Sequence, residues 1–341
     1  MGKVLVTGGC GYIGAHTIVD LLGNKLEVIS VDNLSRGTTK YLQGIKKITG
    51  KDVKNYVIDL CELQRVREIF ENHLDIAGII HFAAYKTVPE SVEQPLLYFH
   101  NNLLSLINLL KCVQEFKIPH FVFSSSCSVY GNPPVLPVTE ETRMPEPESP
   151  YARTKQMGEA VIGDFSRALA SAKIISLRYF NPVGAHESAD IGEYAIEKPE
   201  NLVPIITQTA IGKREKITVF GSDYNTRDGS CIRDFIHVMD IAHAHTLALQ
   251  YLMEGKNQSN NEVFNLGTGN GVTVLEAIKA FEKVSGLKLN YELGARRKGD
   301  VESIYANNSL AKQKLGWIPK RSLDDMMRTA WEWEKKLGAK S

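Results

Sequence analysis

A tyrosine and a lysine four residues apart, Tyr151 and Lys155, are the side chains in this sequence best suited to proton transfer. Residues at this spacing share one face of a helix, so the phenol and the ammonium would be neighbours. A free tyrosine has a pKa of roughly 10 and is a poor base at neutral pH. Because a nearby cation favours the phenolate, we expect Lys155 to lower the pKa of Tyr151. Beside a nicotinamide ring, such a base would support hydride chemistry on an alcohol; an ordinary exposed helix is the alternative.

A glycine-rich turn near the N-terminus predicts a nucleotide site. Gly8, Gly11 and Gly14 follow an apolar run at 3–7 and precede a predicted helix at 12–22. Glycine allows a tight turn and a close approach of the backbone to a pyrophosphate. The free N–H groups at the start of the helix favour phosphate. The pattern is weak alone, but here it has the required strand before it and helix after it.

Asp32 is expected to end the second strand, eighteen residues beyond Gly14. A carboxylate at that place accepts hydrogen bonds from the adenosine ribose hydroxyls and repels a 2′-phosphate. The sequence therefore favours NAD over NADP. An ordinary turn at Asp32-Asn33 is the alternative.

A serine run, Ser124-Ser125-Ser126, closes another predicted strand. Ligands of parallel sheets bind beyond the carboxyl ends of the strands. Because Tyr151 and Lys155 follow in the chain, Ser126 is a candidate to hydrogen-bond a substrate hydroxyl. Alone, the run would be a plain polar strand end.

The elements that must hold these residues alternate between strand and helix. Apolar runs predict strands at 3–7, 27–31, 56–58, 78–82, 121–124 and 174–179, and helices at 12–22, 63–71 and 96–116, with a further helix at Tyr151. This order predicts an α/β fold with a Rossmann-type, doubly wound parallel sheet. After residue 180 the pattern loosens, with helices at 203–211, 238–253, 274–284 and 323–336. We expect an NAD-binding domain at 1–180, which also receives the segment 235–255, and a smaller α/β substrate lobe formed mainly by 181–341.

Composition narrows the function. The chain has 341 residues, 43% hydrophobic and 23% charged, with a formal net charge of +1. This balance argues against nucleic-acid binding, and no apolar run is long enough to predict a membrane span. Five scattered cysteines and an N-terminus that enters a strand at once favour reduced thiols in the cytoplasm, without a secretory leader. The nine histidines have no metal-ligand spacing, so we expect no metal.

Longer motifs carry a family resemblance over nearly the whole chain. They are Val4-Leu5-Val6-Thr7-Gly8-Gly9-x-Gly11-Tyr12-Ile13-Gly14, Ile80-His81-Phe82-Ala83, Glu90-Ser91-Val92, Ser124-Ser125-Ser126-x-x-Val129-Tyr130-Gly131, Ser149-Pro150-Tyr151, Leu177-Arg178-Tyr179-Phe180-Asn181-Pro182-Val183-Gly184-Ala185-His186, Arg233-Asp234-x-Ile236-His237-Val238, Asn265-Leu266-Gly267-Thr268-Gly269 and Arg296-Arg297-x-Gly299-Asp300. With them the chain resembles the extended short-chain dehydrogenase/reductase superfamily, and within it the UDP-glucose 4-epimerase family.

The resemblance implies a role for each matching residue. Tyr151 would be the general base, Lys155 would lower its pKa and hold the nicotinamide ribose, and Ser126 would bind the reacting hydroxyl. Cofactor contacts would come from Gly8, Gly11, Tyr12, Ile13, Gly14, Asp32, Asn33, Asp59, Leu60, Phe82, Ala83, Ala84, Lys86, Asn101, Ser124, Tyr151, Lys155 and Phe180. The UDP-sugar would be held by Ser126, Tyr151, Asn181, Asn201, Leu202, Phe220, Arg233, Arg297, Asp300 and Ile304.

The implied activity is a reversible, NAD-dependent epimerisation of UDP-glucose and UDP-galactose at C4, through a 4-keto sugar, in galactose metabolism. The family forms homodimers through the helix at 96–116 and the Tyr151 helix. Ile304 stands at the family's gate to the sugar pocket, where small residues admit N-acetylhexosamines and large aromatic ones exclude them. A branched aliphatic is intermediate, so UDP-GlcNAc and UDP-GalNAc stay open as substrates.

Other functions compete with this one. A nucleotide-sugar 4,6-dehydratase would need carboxylic acids where this chain has Cys127 and Ser128. A non-enzymatic NAD-binding scaffold would be expected to lack Tyr151 or Lys155, and an alcohol dehydrogenase with exchangeable NAD has no use for diphosphate-binding arginines. Arg233-Asp234 read alone would be a surface ion pair.

Overall fold

The computed structural model describes residues 2–194, 199, 201–297 and 300–339. Their strands are β1 (Lys3–Thr7), β2 (Val28–Val31), β3 (Asn55–Tyr56), β4 (Ile76–His81), β5 (His120–Ser126), β6 (Lys173–Tyr179), β7 (Asn181–Val183), β8 (Ile217–Phe220), β9 (Ile232–Arg233), β10 (Phe235–His237), β11 (Asn261–Leu266), β12 (Val272–Thr273), β13 (Tyr291–Gly294) and β14 (Ser303–Ile304). Their helices are α1 (Tyr12–Gly23), α2 (Lys40–Thr49), α3 (Leu63–Asn72), α4 (Val88–Glu93), α5 (Pro95–Glu115), α6 (Pro150–Ala168), α7 (Leu202–Ala210), α8 (Val238–Met253), α9 (Val274–Ser285), α10 (Ser309–Leu315) and α11 (Leu323–Gly338).

The main sheet is parallel and has the strand order β11-β6-β5-β4-β1-β2-β3. Its strands are apolar on both faces; Val4, Leu5 and Val6 of β1 are fully buried. Parallel strands need crossover connections, and helices in those connections cover both faces of the sheet. The predicted doubly wound α/β fold is therefore confirmed.

Two hydrophobic layers enclose this sheet. On one face, apolar side chains of α1, α2 and α8 form a common core with the strands. On the other face, α3, α5 and α6 do the same. Helix α8 packs against α1, and its bounds, Val238–Met253, coincide with the predicted helix.

The chain after β6 contributes to two regions. Strands β7 and β10 pair with each other, as do β8 and β13, and a third core forms among α7, α9 and α11. Strand β11, in contrast, joins the main sheet beside β6, with Asn261 opposite Ile174. Sequence patterning did not predict this strand, because its residues Asn-Glu-Val-Phe-Asn-Leu neither alternate between polar and apolar nor form a continuous apolar run.

Some predicted elements differ from the observed ones. The strand predicted at 56–58 is the two-residue β3, Asn55–Tyr56. The short helices α2, α4 and α10 were not predicted. Helix α2 buries Tyr41, Gly44 and Ile45 at helical spacing, so its sequence carries an amphipathic pattern from which the helix could have been predicted.

Candidate active site

Helix α6 brings Tyr151 and Lys155 into the interior. Ser149 caps the helix by accepting a hydrogen bond from the Ala152 N–H at 3.2 Å, and Pro150 begins it. Tyr151 and Lys155 then lie one turn apart, only 9% and 4% exposed. The Lys155 Nζ lies 5.9 Å from the centroid of the Tyr151 ring and donates to the Ser124 carbonyl at 2.7 Å. The pair is thus a buried phenol and ammonium on one helix face.

The pKa values of this pair differ from the expectation. Burial raises the pKa of Tyr151 to about 12, and a hydrogen bond with the Ser126 hydroxyl only partly opposes it. Burial also lowers the pKa of Lys155 to about 8, against the charge of Glu159. The pKa of Tyr151 thus lies above its ordinary value instead of below it, because desolvation of the phenolate is the largest influence on this buried phenol.

The serine run closes β5 beside this pair. Ser126, opposite Tyr179 in the strand register, accepts a hydrogen bond from the Ser128 N–H at 3.2 Å, which starts a turn of 3-10 helix. Ser124 presents its carbonyl to Lys155, while its hydroxyl shares a 3.2 Å hydrogen bond with His245 Nε2. The catalytic candidates Ser126, Tyr151 and Lys155 therefore meet at the carboxyl end of β5.

The glycine turn joins β1 to α1 at the same sheet edge. Gly8 has φ +72°, and a Cβ there would lie 2.8 Å from the Ala83 nitrogen. A Cβ on Gly14 would lie 2.2 Å from the Gly8 carbonyl oxygen. Gly11 is the N-cap of α1 and offers no side-chain cap, so the first N–H groups of the helix keep their capacity for an anion.

Two predicted cofactor residues of α1 point inward. The Tyr12 hydroxyl donates to the Gly184 carbonyl at 2.6 Å, and Ile13 packs against the main core. Only their backbone groups belong to the edge of the turn, which is consistent with a phosphate contact through N–H groups.

Acidic and amide groups cluster after β2 and β3. The Asp32 carboxylate accepts from the Cys10 N–H at 3.0 Å and the Leu34 N–H at 2.9 Å, and burial raises its pKa. Asn33 donates to Asp59 at 3.3 Å. Leu60, the next predicted cofactor residue, is buried and apolar. The polar side chains after β2 and β3 are therefore those of Asp32, Asn33 and Asp59.

The loop after β4 faces the glycine turn. The Ala83 N–H donates to Thr7 at 3.4 Å, and the Phe82 ring centroid lies 4.5 Å from that of His245. Ala84 follows in the same loop and is half-buried. The Asn101 amide donates to the side chain of the next residue, Asn102, at 2.9 Å. The loop after β4 and the glycine turn therefore lie against each other, since a Cβ on Gly8 would meet the backbone of Ala83.

Lys86 and Asn201 meet at a shared carboxylate. Asn201, the N-cap of α7, donates to Glu193 at 2.6 Å, and the Lys86 Nζ lies 3.6 Å from the same group. Leu202 is the first residue of α7. A residue predicted to bind cofactor and one predicted to bind substrate are thus brought together by Glu193, to which the sequence analysis assigned no role.

Two arginines converge on Asp300. Arg297 donates to it at 2.8 Å, and an Arg233 Nη2 lies 3.7 Å away. The Arg297 guanidinium also lies 5.5 Å from the centroid of the exposed Phe220 ring. Arg233, Arg297, Phe220 and Asp300 therefore form one group; Gly299, part of the Arg-Arg motif, lies outside the described residues.

Asp234 is not the partner of Arg233, so the surface ion-pair alternative is wrong. Asp234 is fully buried and accepts from the Thr268 N–H at 2.8 Å, the Gly269 N–H at 3.1 Å and the Ala306 N–H at 3.1 Å. This carboxylate holds together the loops that flank the arginines.

An apolar wall stands beside the arginines. Ile304 pairs with Arg233 in the β14–β9 register and packs with Phe180 and Tyr130 in a small buried cluster. Asn181 follows Phe180, and its side-chain oxygen is buried without a hydrogen-bond partner among the described residues. An amide oxygen left in this state lacks an interaction that a bound donor would supply.

Sequence reasoning missed a buried ion pair next to the catalytic candidates. Arg178 and Glu159 have side chains only 5% and 8% exposed and are joined at 2.6 Å. Glu159 stands four residues after Lys155, a spacing that could have drawn attention to it. Arg178 lies inside one of the family motifs but received no role.

The positions that would carry acids in a dehydratase hold none. Cys127 and Ser128 follow Ser126, and burial raises the pKa of the Cys127 thiol to about 12. A thiol in this state is a poor proton donor for an elimination.

Groups of three or more potential metal ligands are absent from the part of the chain that the structure describes, as are helices able to cross a membrane.

Comparisons with known proteins give one family model and a set of relatives that match nearly the whole chain. A family model described as GDP-mannose 4,6 dehydratase matches residues 5–330. The UDP-glucose 4-epimerase of Haemophilus influenzae is 44% identical over 332 residues, covering 97% of each chain. That of Bacillus subtilis is 44% identical over 331 residues, covering 97% of this chain and 96% of its own.

Solved structures give the same answer. The UDP-glucose 4-epimerase of Stenotrophomonas maltophila, with bound NAD and formylated UDP-arabinopyranose, superposes with a TM-score of 0.96 at 40% identity and covers 100% of both chains. That of Bifidobacterium longum, in complex with NAD+ and UDP, has a TM-score of 0.93 at 41% identity over 98% of both chains. Full-length identity to epimerases is more specific than the broad dehydratase model, and so the chain belongs to the UDP-glucose 4-epimerase family.

Proposed function

We propose that this protein interconverts UDP-glucose and UDP-galactose by inverting C4 of the hexose, with NAD as its resident cofactor, in galactose metabolism. The observation that carries the proposal is the meeting of Tyr151, Lys155 and Ser126 at the carboxyl end of β5, beside the glycine turn. A base next to a dinucleotide cradle is the arrangement that hydride chemistry on an alcohol requires.

The residues present fit NAD. Gly8 and Gly14 leave no room for a Cβ, and the uncapped start of α1 suits a pyrophosphate. The buried Asp32 carboxylate suits ribose hydroxyls and disfavours a 2′-phosphate. When bound, NAD supplies reversible storage of one hydride, so each turnover needs no external oxidant. We propose that residues 1–180, with 235–255, hold it, while 181–341 mainly hold the UDP-sugar.

Tyr151 is the proposed general base for the sugar 4-hydroxyl, and Ser126 the group that orients this hydroxyl. The phenol must lose its proton, although burial raises its pKa to about 12. The Lys155 ammonium and a positively charged nicotinamide both favour the phenolate. Removal of the hydroxyl proton and of the C4 hydride gives a 4-keto sugar. Return of the hydride to the opposite face of C4, and of the proton to the C4 oxygen, inverts the configuration at C4.

The nucleotide is the proposed anchor that lets the keto sugar turn over. Arg233 and Arg297 are already drawn together by Asp300, and guanidinium groups suit a diphosphate through paired, charge-assisted hydrogen bonds. Asn181 adds an unsatisfied amide oxygen beside them. Binding energy from UDP can hold the hexose near the base while the hexose pocket itself stays permissive.

The substrate range is proposed to include the N-acetylhexosamine forms. Ile304 is aliphatic and belongs to the wall beside Phe180, where an aromatic ring would take more space. A UDP-Glc/GlcNAc 4-epimerase from Campylobacter jejuni is among the structural neighbours, with a TM-score of 0.84 at 37% identity.

A homodimer in the cytoplasm is the proposed form of the protein. Leu97 and Ile107 of α5 and Met157 of α6 are apolar and exposed on helices that pack side by side. A second copy would cover this face, and Ile107→Asp would then yield monomers in light scattering.

The described cysteines are free thiols, as a reducing compartment would keep them.

The direct test is to incubate the protein with UDP-galactose, without added NAD, and to follow UDP-glucose by chromatography. We expect conversion to an equilibrium mixture, and conversion at least roughly a hundredfold slower with Tyr151→Phe. A 4-keto-6-deoxy product would indicate a dehydratase, dependence on added NAD with accumulation of NADH would indicate a dehydrogenase, and no product would leave a binding protein.

A further inference from the structure

Two hydrogen bonds, one helical turn apart on α6, join α6 to β5. Lys155 donates to the Ser124 carbonyl at 2.7 Å. One turn further on, the Ser125 hydroxyl donates to Glu159 at 2.5 Å. Because Lys155 and Glu159 lie four residues apart on one face of α6, these contacts fix which part of α6 faces β5.

Glu159 is itself held from the neighbouring strand. Arg178 of β6 donates to it through Nε at 2.9 Å and through Nη2 at 2.6 Å. The Arg178 Nη1 donates further to the Tyr130 hydroxyl at 2.8 Å, in the turn that follows Ser126. The carboxylate is therefore immobilised on two sides, and the two oxygens face fixed donors.

We propose that Glu159 is a positioning residue for the epimerase reaction: anchored by Arg178 and Ser125, its carboxylate keeps Lys155 charged and keeps the Tyr151 turn of α6 in register with β5. The inference rests on the proposed function and concerns a residue that touches neither substrate nor cofactor.

The titratable groups packed around Lys155 are neutral at pH 7, apart from Glu159, whose charge raises the pKa of Lys155. From β4, burial and Lys155 lower the pKa of His81 to about 3, and from α8, burial lowers the pKa of His245 to about 4. Burial also raises the pKa of Tyr179 on β6 and of Cys127 in the turn after β5, so both are neutral at pH 7. On α6 itself, burial raises the pKa of Tyr151 to about 12, so this phenol is also neutral at pH 7.

Among the described residues, Arg178 donates its hydrogen bonds to Glu159 and to the Tyr130 hydroxyl. Glu159 is the group whose charge raises the pKa of Lys155 against its burial. Without that charge the Lys155 ammonium would keep its hydrogen bond to the Ser124 carbonyl but would lose its proton at a lower pH.

The decisive variant removes both charges of the pair. Glu159→Gln alone leaves Arg178 buried without its carboxylate, which threatens folding. The double variant Glu159→Leu/Arg178→Met replaces the pair by apolar groups and avoids an unpaired charge. Ser125→Ala is the matched control, because it removes the hydroxyl bound to Glu159 and leaves both charges in place.

The experiment measures kcat/KM for UDP-galactose from pH 6 to 10 on the protein as purified. It is paired with a titration of the 13Cε resonance of Lys155 in lysine-labelled protein, assigned by its loss in Lys155→Arg. In the double variant we expect the alkaline limb and the Lys155 titration to move together to lower pH by about one unit. Ser125→Ala should keep both near the wild-type values.

The outcomes separate the inference from the proposed function. A folded double variant whose alkaline limb and Lys155 titration match the wild type would overturn the role of Glu159, and would leave Arg178–Glu159 as a purely structural pair. A wild-type protein that does not convert UDP-galactose would instead overturn the proposed function, whereas the resonance of Lys155 would still test Glu159.

Discussion

The Lys155 ammonium donates to the Ser124 carbonyl at 2.7 Å, and its Nζ stays 5.9 Å from the Tyr151 ring centroid. The lysine is thus fixed by the strand that ends in Ser126, and its influence on the phenol is electrostatic. Burial brings the pKa of Lys155 to about 8, close to physiological pH. The charge of Lys155 therefore changes with pH in the range close to neutrality.

Activity should fall as pH rises through about 8, where the Lys155 ammonium loses its proton. The folded-state pKa lies below the ordinary lysine value, so between the two the unfolded chain binds more protons than the folded one. Stability consequently gains from Lys155 as pH rises through that interval, while activity declines. A pH profile of kcat/KM, measured beside a thermal unfolding series, checks both directions; constant activity to pH 10 would contradict the assignment.

Tyr151→Phe should lower kcat by roughly a hundredfold to ten-thousandfold, because it removes the base and leaves the ring in place. The affinity for UDP should stay near the wild-type value, since the arginines proposed to hold UDP, Arg233 and Arg297, contact Asp300 in another segment. Calorimetry with UDP and a chromatographic assay measure the two properties. Tyr56→Phe, on the outer strand β3, is the control and should retain activity.

The parts of this site that lie close together along the chain could be predicted from the sequence, whereas contacts between distant segments could not. Tyr151, Lys155 and the glycine turn are local patterns, and α6 and α1 present them as the spacing implied. The partner of Arg233 could not be read locally, because its sequence neighbour Asp234 is buried and Asp300 comes from another segment.

The same limit applies to the fold. The helix at 238–253 was predicted from its own apolar pattern, whereas the return of β11 to the main sheet is a long-range pairing with β6. The direction of the Tyr151 pKa was mispredicted for a related reason. Spacing reports a neighbouring cation, but burial of the phenol follows from the packing of whole elements.

Arg233→Leu and Arg297→Leu should each weaken UDP binding by about tenfold or more. A hydrogen bond to a charged group contributes roughly 1.5–3 kcal/mol, and these two side chains converge on one acidic group. Arg296→Leu is the control, because its guanidinium is turned to Asp223 at 2.7 Å. Equal losses of UDP affinity in all three variants, measured by calorimetry, would refute the placement of the diphosphate.

Ile304→Tyr should reduce conversion of UDP-GalNAc while UDP-galactose conversion changes little, because the larger ring enters the wall formed with Phe180. Ile304→Ala should change the ratio in the opposite direction. Ile304→Val conserves the branched shape and serves as the control. The kcat/KM ratio for the two substrates is the measurement, and an identical ratio in Tyr and Ala variants would remove Ile304 from the sugar pocket.

Gly14→Ala should deplete the bound NAD, because the new Cβ would lie 2.2 Å from the Gly8 carbonyl oxygen and force the two sides of the turn apart. Overpacking of this kind costs roughly 1–3 kcal/mol in the free energy of unfolding. Gly23→Ala, at the end of the same helix, meets nothing within 4 Å, and should leave stability unchanged or raise it by up to about 1 kcal/mol. NAD released by acid denaturation and urea unfolding curves measure the two effects. Normal NAD content in Gly14→Ala would show that the cofactor does not use this turn, whatever happens to stability.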